Sequence, residues 1–323
     1  MKKFLFLLIF LTNAYSAEVD NFTGRFQSNL NDSTKVFNKK TNEYFRKGLK
    51  NANFGLLRCN ERKLYFHLQR YFNSTFFGKI VRWVNKTETL DKKFISVDKS
   101  IYRDFVLSES IVLGFIAKLR SVHSPNLRMG EVYLGSDKFE HFFSSGFRYF
   151  TSMYLKRKGI KKTLMIGLKE EYGLLGRIPT GVISYADLAA DFNGMRFWNH
   201  VLQKNNDILG KNFNFGPYVK CKRKKWVLVK KMDWSKYLDH SMDEAINCSQ
   251  FKKLSMVKKV KNRLKGIRTF EQRVVSCPID KNKLKKMFEK YGRFAPFFIN
   301  QEGHRVVDMK DNPLIKLKDM DKF

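Results

Sequence analysis

The chain has 323 residues, 43% of them hydrophobic, with 63 Lys and Arg against 30 Asp and Glu, giving a formal net charge of +33 and a pI near 10.0. This excludes a disordered polar chain, and at roughly 150 residues per domain it leaves room for about two domains. A charge of this size favours anionic partners, namely lipid head groups or anionic envelope polymer, with nucleic acid less favoured; the joint abundance of Lys, Asn and Phe also fits simple compositional drift.

Lys2 and Lys3 precede the apolar run Phe4 to Leu11, and Ala14-Tyr15-Ser16 supplies small residues for a signal peptidase, so residues 1–16 read as a signal peptide. The run is too short to span a bilayer of about 30 Å, and the next apolar stretch, Ile111 to Ala117, is bounded by Glu109 and Lys118. The expected product is exported, periplasmic or extracellular, with no transmembrane span in the mature chain and peripheral membrane contact at most. Residues 17–44 read as a polar N-terminal arm, extended or loosely packed in its first part, and 45–204 as a helical core. Within that core Tyr102 to Leu119 is expected as one long helix, stopped by Ser124-Pro125.

Ser136 to Leu155 carries a helical stripe of Phe139, Phe142, Phe143, Gly146, Phe147 and Phe150, with Asp137, His141, Ser144, Ser145 and Arg148 opposite. A second helix is expected over Lys161 to Tyr172, where Gly167, three residues before Glu170, marks a close contact on that side. Ser184 then caps a third helix to about Leu202. Asn205 to Tyr218 is rich in Gly and Asn and reads as a boundary before a basic C-terminal region, 219–323. There Lys222, Arg223, Lys224 and Lys225 precede a strand-like run, and Ser241, in a capping box with Glu244, and Ser249 read as caps of further helices. Lys258, Lys259 and Arg263 crowd a basic helix face. These seven basic residues are the expected anion-binding groups.

Four cysteines in an exported chain, with no Cys-x-x-Cys pair, favour two disulfides over a zinc site. Three connectivities exist; Cys248 with Cys277 is favoured, because one helix between them would be pinned, leaving Cys59 with Cys221. The fold class expected is mainly α, a helical core with a smaller, disulfide-linked basic region.

On the third helix Asp187 and Asp191 both lie in or beside the buried stripe, and a buried carboxylate requires a partner. Ser184-x-x-Asp187 also fits a capping box, which does not reach Asp191. Asp191 is therefore expected to be buried and paired with His141, Lys138 or Arg148. Asp137 opens its helix, where the macrodipole favours a carboxylate, and His141 follows one turn later as a ligand, a base or a structural partner. Asp137, His141, Asp187 and Asp191 are the candidate ligands for a small molecule or divalent metal, and His141 and Glu170 the candidate catalytic groups. Glu170-Glu171 does not read as a glycosidase pair, since adjacent helical residues point about 100° apart. No phosphate-binding loop, zinc-protease helix or nucleophile elbow is present.

The order Asp137-Lys138-x-x-His141-Phe142, then Lys169-Glu170, then Gly181-x-x-Ser184-x-x-Asp187-Leu188-x-x-Asp191-x-x-Gly194 resembles the YfiM-like family of predicted periplasmic lipoproteins over residues 137–194, and more distantly VanZ-like membrane proteins. The resemblance implies a helical, periplasmic, envelope-associated protein with these polar residues in one cluster, and implies no reaction. The chain departs from that family in lacking a lipid-acceptor cysteine after the leader. Two functions follow: an envelope-associated protein with a buried cluster and a basic surface, or a hydrolase, metal-dependent in one form, acting on peptidoglycan or lipid.

Overall fold

The computed structural model describes residues 18–26, 29–55, 59–73, 79–116, 124–173, 176–307 and 317. The expected leader lies outside them, as does the end of the expected 102–119 helix. Among the described residues no helix is long and apolar enough to cross a membrane.

Helix dominates. The contacting helices α1 (Thr34–Ala52) and α2 (Glu61–Phe72) pack with α3 (Lys79–Lys86) around aromatic side chains. A three-stranded antiparallel sheet follows, β1 (Lys92–Lys93), β2 (Asn126–Met129) and β3 (Val132–Gly135), with Leu127 opposite Leu134. β3 feeds the helical run 137–155, called α4, in which the segments His141–Ser145 and Thr151–Leu155 are π-helical. Such widened turns recur at functional sites. After α5 (Gly159–Glu171) and β4 (Val182–Ile183) comes α6 (Tyr185–Leu202), the centre of the molecule, buried at every position from Tyr185 to Val201.

A helix buried on all sides must satisfy its polar residues internally. Beyond the two aspartates, Arg196 Nε meets Asp207 Oδ2 at 2.9 Å and His200 Nε2 meets the same oxygen at 3.0 Å, while His200 Nδ1 and the Tyr237 hydroxyl lie 2.8 Å apart. Asp207 belongs to the stretch expected as a boundary. That stretch is instead folded onto α6, and the two largest hydrophobic clusters both combine residues from before and after it. The rest of the chain adds the hairpin β5 (Val219–Lys222) and β6 (Lys225–Leu228), β7 (Gln250–Phe251) paired with β4, α7 (Leu254–Leu264) and α8 (Lys281–Tyr291).

Several local expectations are corrected. The N-terminal arm is not loose: residues 18–22 are buried, and Asp20 accepts hydrogen bonds from the amides of Phe22, Thr23 and Ile101. The expected long helix from Tyr102 is broken into turns with a π-helical stretch, Val112–Ile116, because the Glu109 carboxylate takes the Val106 amide and the Ser110 hydroxyl takes the Leu113 amide. Ser241 and Ser249 start no α-helix; Asp239 caps a short 3₁₀ turn at Ser241, and α7 begins at Leu254. Cys59 is bonded to Cys221 and Cys248 to Cys277, the pairing favoured from the sequence.

Aromatic rings pack around α4, with Phe72 stacked on Phe143 of α4, Phe147 edge-to-face with Trp198 of α6, and Phe142 tilted against Trp234, each pair 4.9 Å between centroids. Each fully buried ring contributes about 1.5–3 kcal/mol. His304 is buried between Phe22 and Phe251, and that burial, with Lys261 nearby, pushes its pKa down to about 3. Its folded pKa lies below the unfolded value, so the unfolded chain takes the proton first as pH falls. Stability is therefore expected to drop by about 1.4 kcal/mol per pH unit between about pH 6.5 and 3 on this account alone. Urea unfolding across that range should show a shallower slope for His304→Phe; an unchanged slope refutes the assignment.

Candidate functional site

Two glycines set the geometry. A Cβ on Gly194 of α6 would lie 1.8 Å from the Phe142 carbonyl oxygen, and one on Gly146 of α4 would lie 2.6 Å from the Gly194 Cα. Only glycine permits this approach. It brings the first turns of α4 against the first turns of α6, so Asp137, Lys138 and His141 face Asp187 and Asp191.

Lys138 is the hub. Its ammonium lies 2.5 Å from Asp137 Oδ2, 2.6 Å from Asp187 Oδ1 and 2.7 Å from Glu244 Oε1, with the side chain 1% exposed. Burial disfavours its charge, but the three carboxylates raise its pKa well above the ordinary lysine value. The Asp137, Asp187 and Glu244 oxygens lie close enough together to ligate one ion. In this arrangement they surround an ammonium instead.

His141 stands beside this hub. Its Nδ1 is 3.0 Å from Asp191 Oδ1 in hydrogen-bond geometry, whereas its Nε2 is 3.4 Å from Asp187 Oδ2 without one. Burial opposes protonation of the ring, yet Asp187 and Asp191 raise its pKa well above the usual histidine value. Burial likewise opposes ionisation of Asp187, but His141 and Lys138 hold its carboxyl below the ordinary range. Asp191 is 1% exposed and burial pushes it up to about 7, against the pull of His141.

The capping box is half present. The Ser184 hydroxyl accepts from the Asp187 amide at 3.2 Å, but the Ser184 amide donates to Glu171 Oε2 at 3.1 Å. Glu171 thus takes the reciprocal cap and frees the Asp187 carboxylate for Lys138 and His141. Glu171 is 2% exposed; burial, then Asp187, raises its pKa well above the usual glutamate value. His141, Glu171 and Asp187 form a second set whose ligating atoms lie within 4.8 Å of one another. Glu140 at the edge is pushed up to about 7 by burial, and buried Glu18 also sits in the field of Glu244 and Asp187.

The cluster therefore contains Asp137, His141, Asp187 and Asp191 as the spacing suggested, while Glu170 lies at its edge, near enough for its charge to act on Asp191. Glu170 pairs with the half-exposed Arg148. Its neighbour Glu171 is the one that points inward, and the signal was in the sequence. Gly167, whose missing Cβ would meet the Tyr149 hydroxyl and Asp191, lies four residues before Glu171, about 40° away around the helix, and three before Glu170, about 60° away. Glu244 was read as a helix cap; with no helix there, its carboxylate reaches Lys138 across the molecule. Glu18 and Glu140 carried no distinguishing signal.

Of the expected anion-binding groups, Lys222, Arg223, Lys224 and Lys225 are exposed at the β5–β6 turn and Lys258 is exposed on α7. Lys259 and Arg263 are corrected: they form ion pairs with Glu109 and Asp104, so their charge is already balanced. Cys248, Cys277 and His304 also lie at ligand-like spacing, but both sulfurs are in a disulfide. No protein-family model matches the chain, and no curated protein or solved structure does.

Proposed function

We propose that the chain is an exported, envelope-associated protein built around a divalent-cation site, with His141, Glu171 and Asp187 as ligands and Asp191 as the carboxylate that orients the ring. The observation that carries this reading is the split role of the imidazole. Nδ1 is hydrogen-bonded to Asp191, leaving Nε2 towards Asp187, with a Glu171 carboxylate oxygen in the same ligand-spaced set, the carboxylate-histidine-metal arrangement in which an outer carboxylate fixes the tautomer. The charge count supports it as well. Among the described residues, seven carboxyl groups, Glu18, Asp137, Glu140, Glu171, Asp187, Asp191 and Glu244, are gathered about Lys138 and His141. One histidine with two carboxylates suits zinc or manganese.

A cation bound there would supply an activated water, which favours hydrolysis of an envelope substrate over a purely structural role, since the His141 side chain is 15% exposed and keeps the site in reach of solvent. The formal charge of +33 and the exposed Lys222 to Lys225 turn support an anionic partner, either envelope polymer or lipid. Elemental analysis and calorimetric titration with zinc and manganese test the cation. One ion per chain is expected, abolished in His141→Ala and weakened about 10–100-fold in Asp191→Asn, where the ring loses its orienting carboxylate. A chelated protein that takes up neither metal at millimolar concentration refutes the site.

A further inference from the structure

Three segments far apart in sequence build one apolar prominence. The turn at 106–110 and the π-helical stretch after it expose Val106, Leu107, Ile111 and Phe115, the latter three at 57%, 42% and 48%. Ile178, 48% exposed, precedes Pro179, whose carbonyl accepts from the Val112 amide at 3.0 Å. Leu254, 58% exposed, opens α7 beside Lys253, whose ammonium donates to the Ser108 carbonyl at 2.8 Å. Buried Glu109 locks the assembly, accepting from the Val106 amide, the Ser255 hydroxyl at 2.5 Å and the Lys259 ammonium at 2.7 Å. Exposed apolar residues are ordinary when scattered, but six converging on a braced surface mark an interaction site.

The rim decides the partner. Arg103, Lys253 and Lys258 are exposed around these residues, and Lys258 lies one helical turn from Leu254 on the same face. The apolar residues lie on turns and at a helix start; exposed cations beside exposed apolar side chains match a bilayer whose anionic head groups overlie an acyl interior. We propose that this prominence docks the protein on an anionic lipid surface. The proposal rests on the envelope-association part of the reading above and not on the cation.

The test is co-sedimentation of the full chain with phosphatidylglycerol-containing vesicles and with pure phosphatidylcholine vesicles. Binding to the anionic vesicles is expected, with about tenfold or greater loss in the triple variant Leu107→Ser, Phe115→Ser, Leu254→Ser, whose positions are exposed, so that its melting is expected to match that of the wild type. Phe54→Ser, at a separate position 82% exposed, should bind as wild type. In Phe115→Trp, quenching by brominated acyl chains should report insertion. Vesicle binding that survives the triple variant overturns the proposal, as does a wild-type dimer that the triple variant dissociates. Binding to purified cell wall without binding to vesicles also overturns it, while leaving the anionic-partner reading intact.

Discussion

Lys138→Met is expected to destabilise the fold by about 3–5 kcal/mol, the cost of removing one partner from a buried ionic network. Methionine is close in length and apolar, so little packing is lost and the effect reports on charge. The ammonium is the shared partner of Asp137, Asp187 and Glu244. Glu244 is already raised to about 8, by burial first and against the pull of Lys138, so removing the lysine favours its neutral form further. Urea unfolding midpoints measure the loss. Adding Asp137→Asn and Glu244→Gln to Lys138→Met should recover part of it, because neutral amides need no counter-charge. A loss under about 1 kcal/mol would mean that these carboxyls do not depend on the lysine.

Gly194→Ala is expected to cost about 3 kcal/mol or more and to abolish ion uptake along with it. The added methyl would sit 1.8 Å from the Phe142 oxygen, 2.7 Å from its carbonyl carbon and 2.9 Å from its Cα, all backbone atoms that no rotamer change can move. Relief requires α4 and α6 to separate, beyond the usual 1–3 kcal/mol of a tight core substitution. Separation carries His141 away from Asp187 and Asp191. Thermal melting and metal titration on the same variant check both effects; wild-type melting with wild-type uptake would show that the helices adjust without strain.

The helices that build the site were legible because their apolar spacing is regular and their ends are marked. Ser184 opens α6 as read, and the Asp137 and His141 turn lies beside it. Asp191 was legible through burial, since a carboxylate on the arc of Trp198 must find a partner. What escaped the sequence were contacts made at long range or by competition. Glu171 captured the Ser184 amide that local spacing assigned to Asp187, and Glu244 sat in a motif that imitates a helix cap. The short strands β2 and β3, only four residues each, turn at Gly130 and offer too little alternation to register as a sheet. The contacts of 205–218 escaped for a related reason: a polar, glycine-containing stretch reads as a linker unless the Arg196 and His200 that hold its Asp207 are known to be buried.

The long-range pairs also fix an order of assembly. Lys138 and Glu244 are 106 residues apart, Cys59 and Cys221 are 162 apart, and Arg25 and Asp243 are 218 apart. A chain that emerges N-terminus first, from a ribosome or an export channel, presents α1 to α6 while the groups that complete them are still enclosed. Such distant closures are slow. During that interval Cys59 is a free thiol open to wrong partners, Lys138 lacks one of its carboxylates, and the Ser184 hydroxyl has no Glu244 to bond. A fragment ending at residue 204 would hold that unfinished condition permanently. The C-terminal part therefore acts as a keystone: the bridge from Cys59 closes only once Cys221 has arrived, and the Lys138 hub only once Glu244 has.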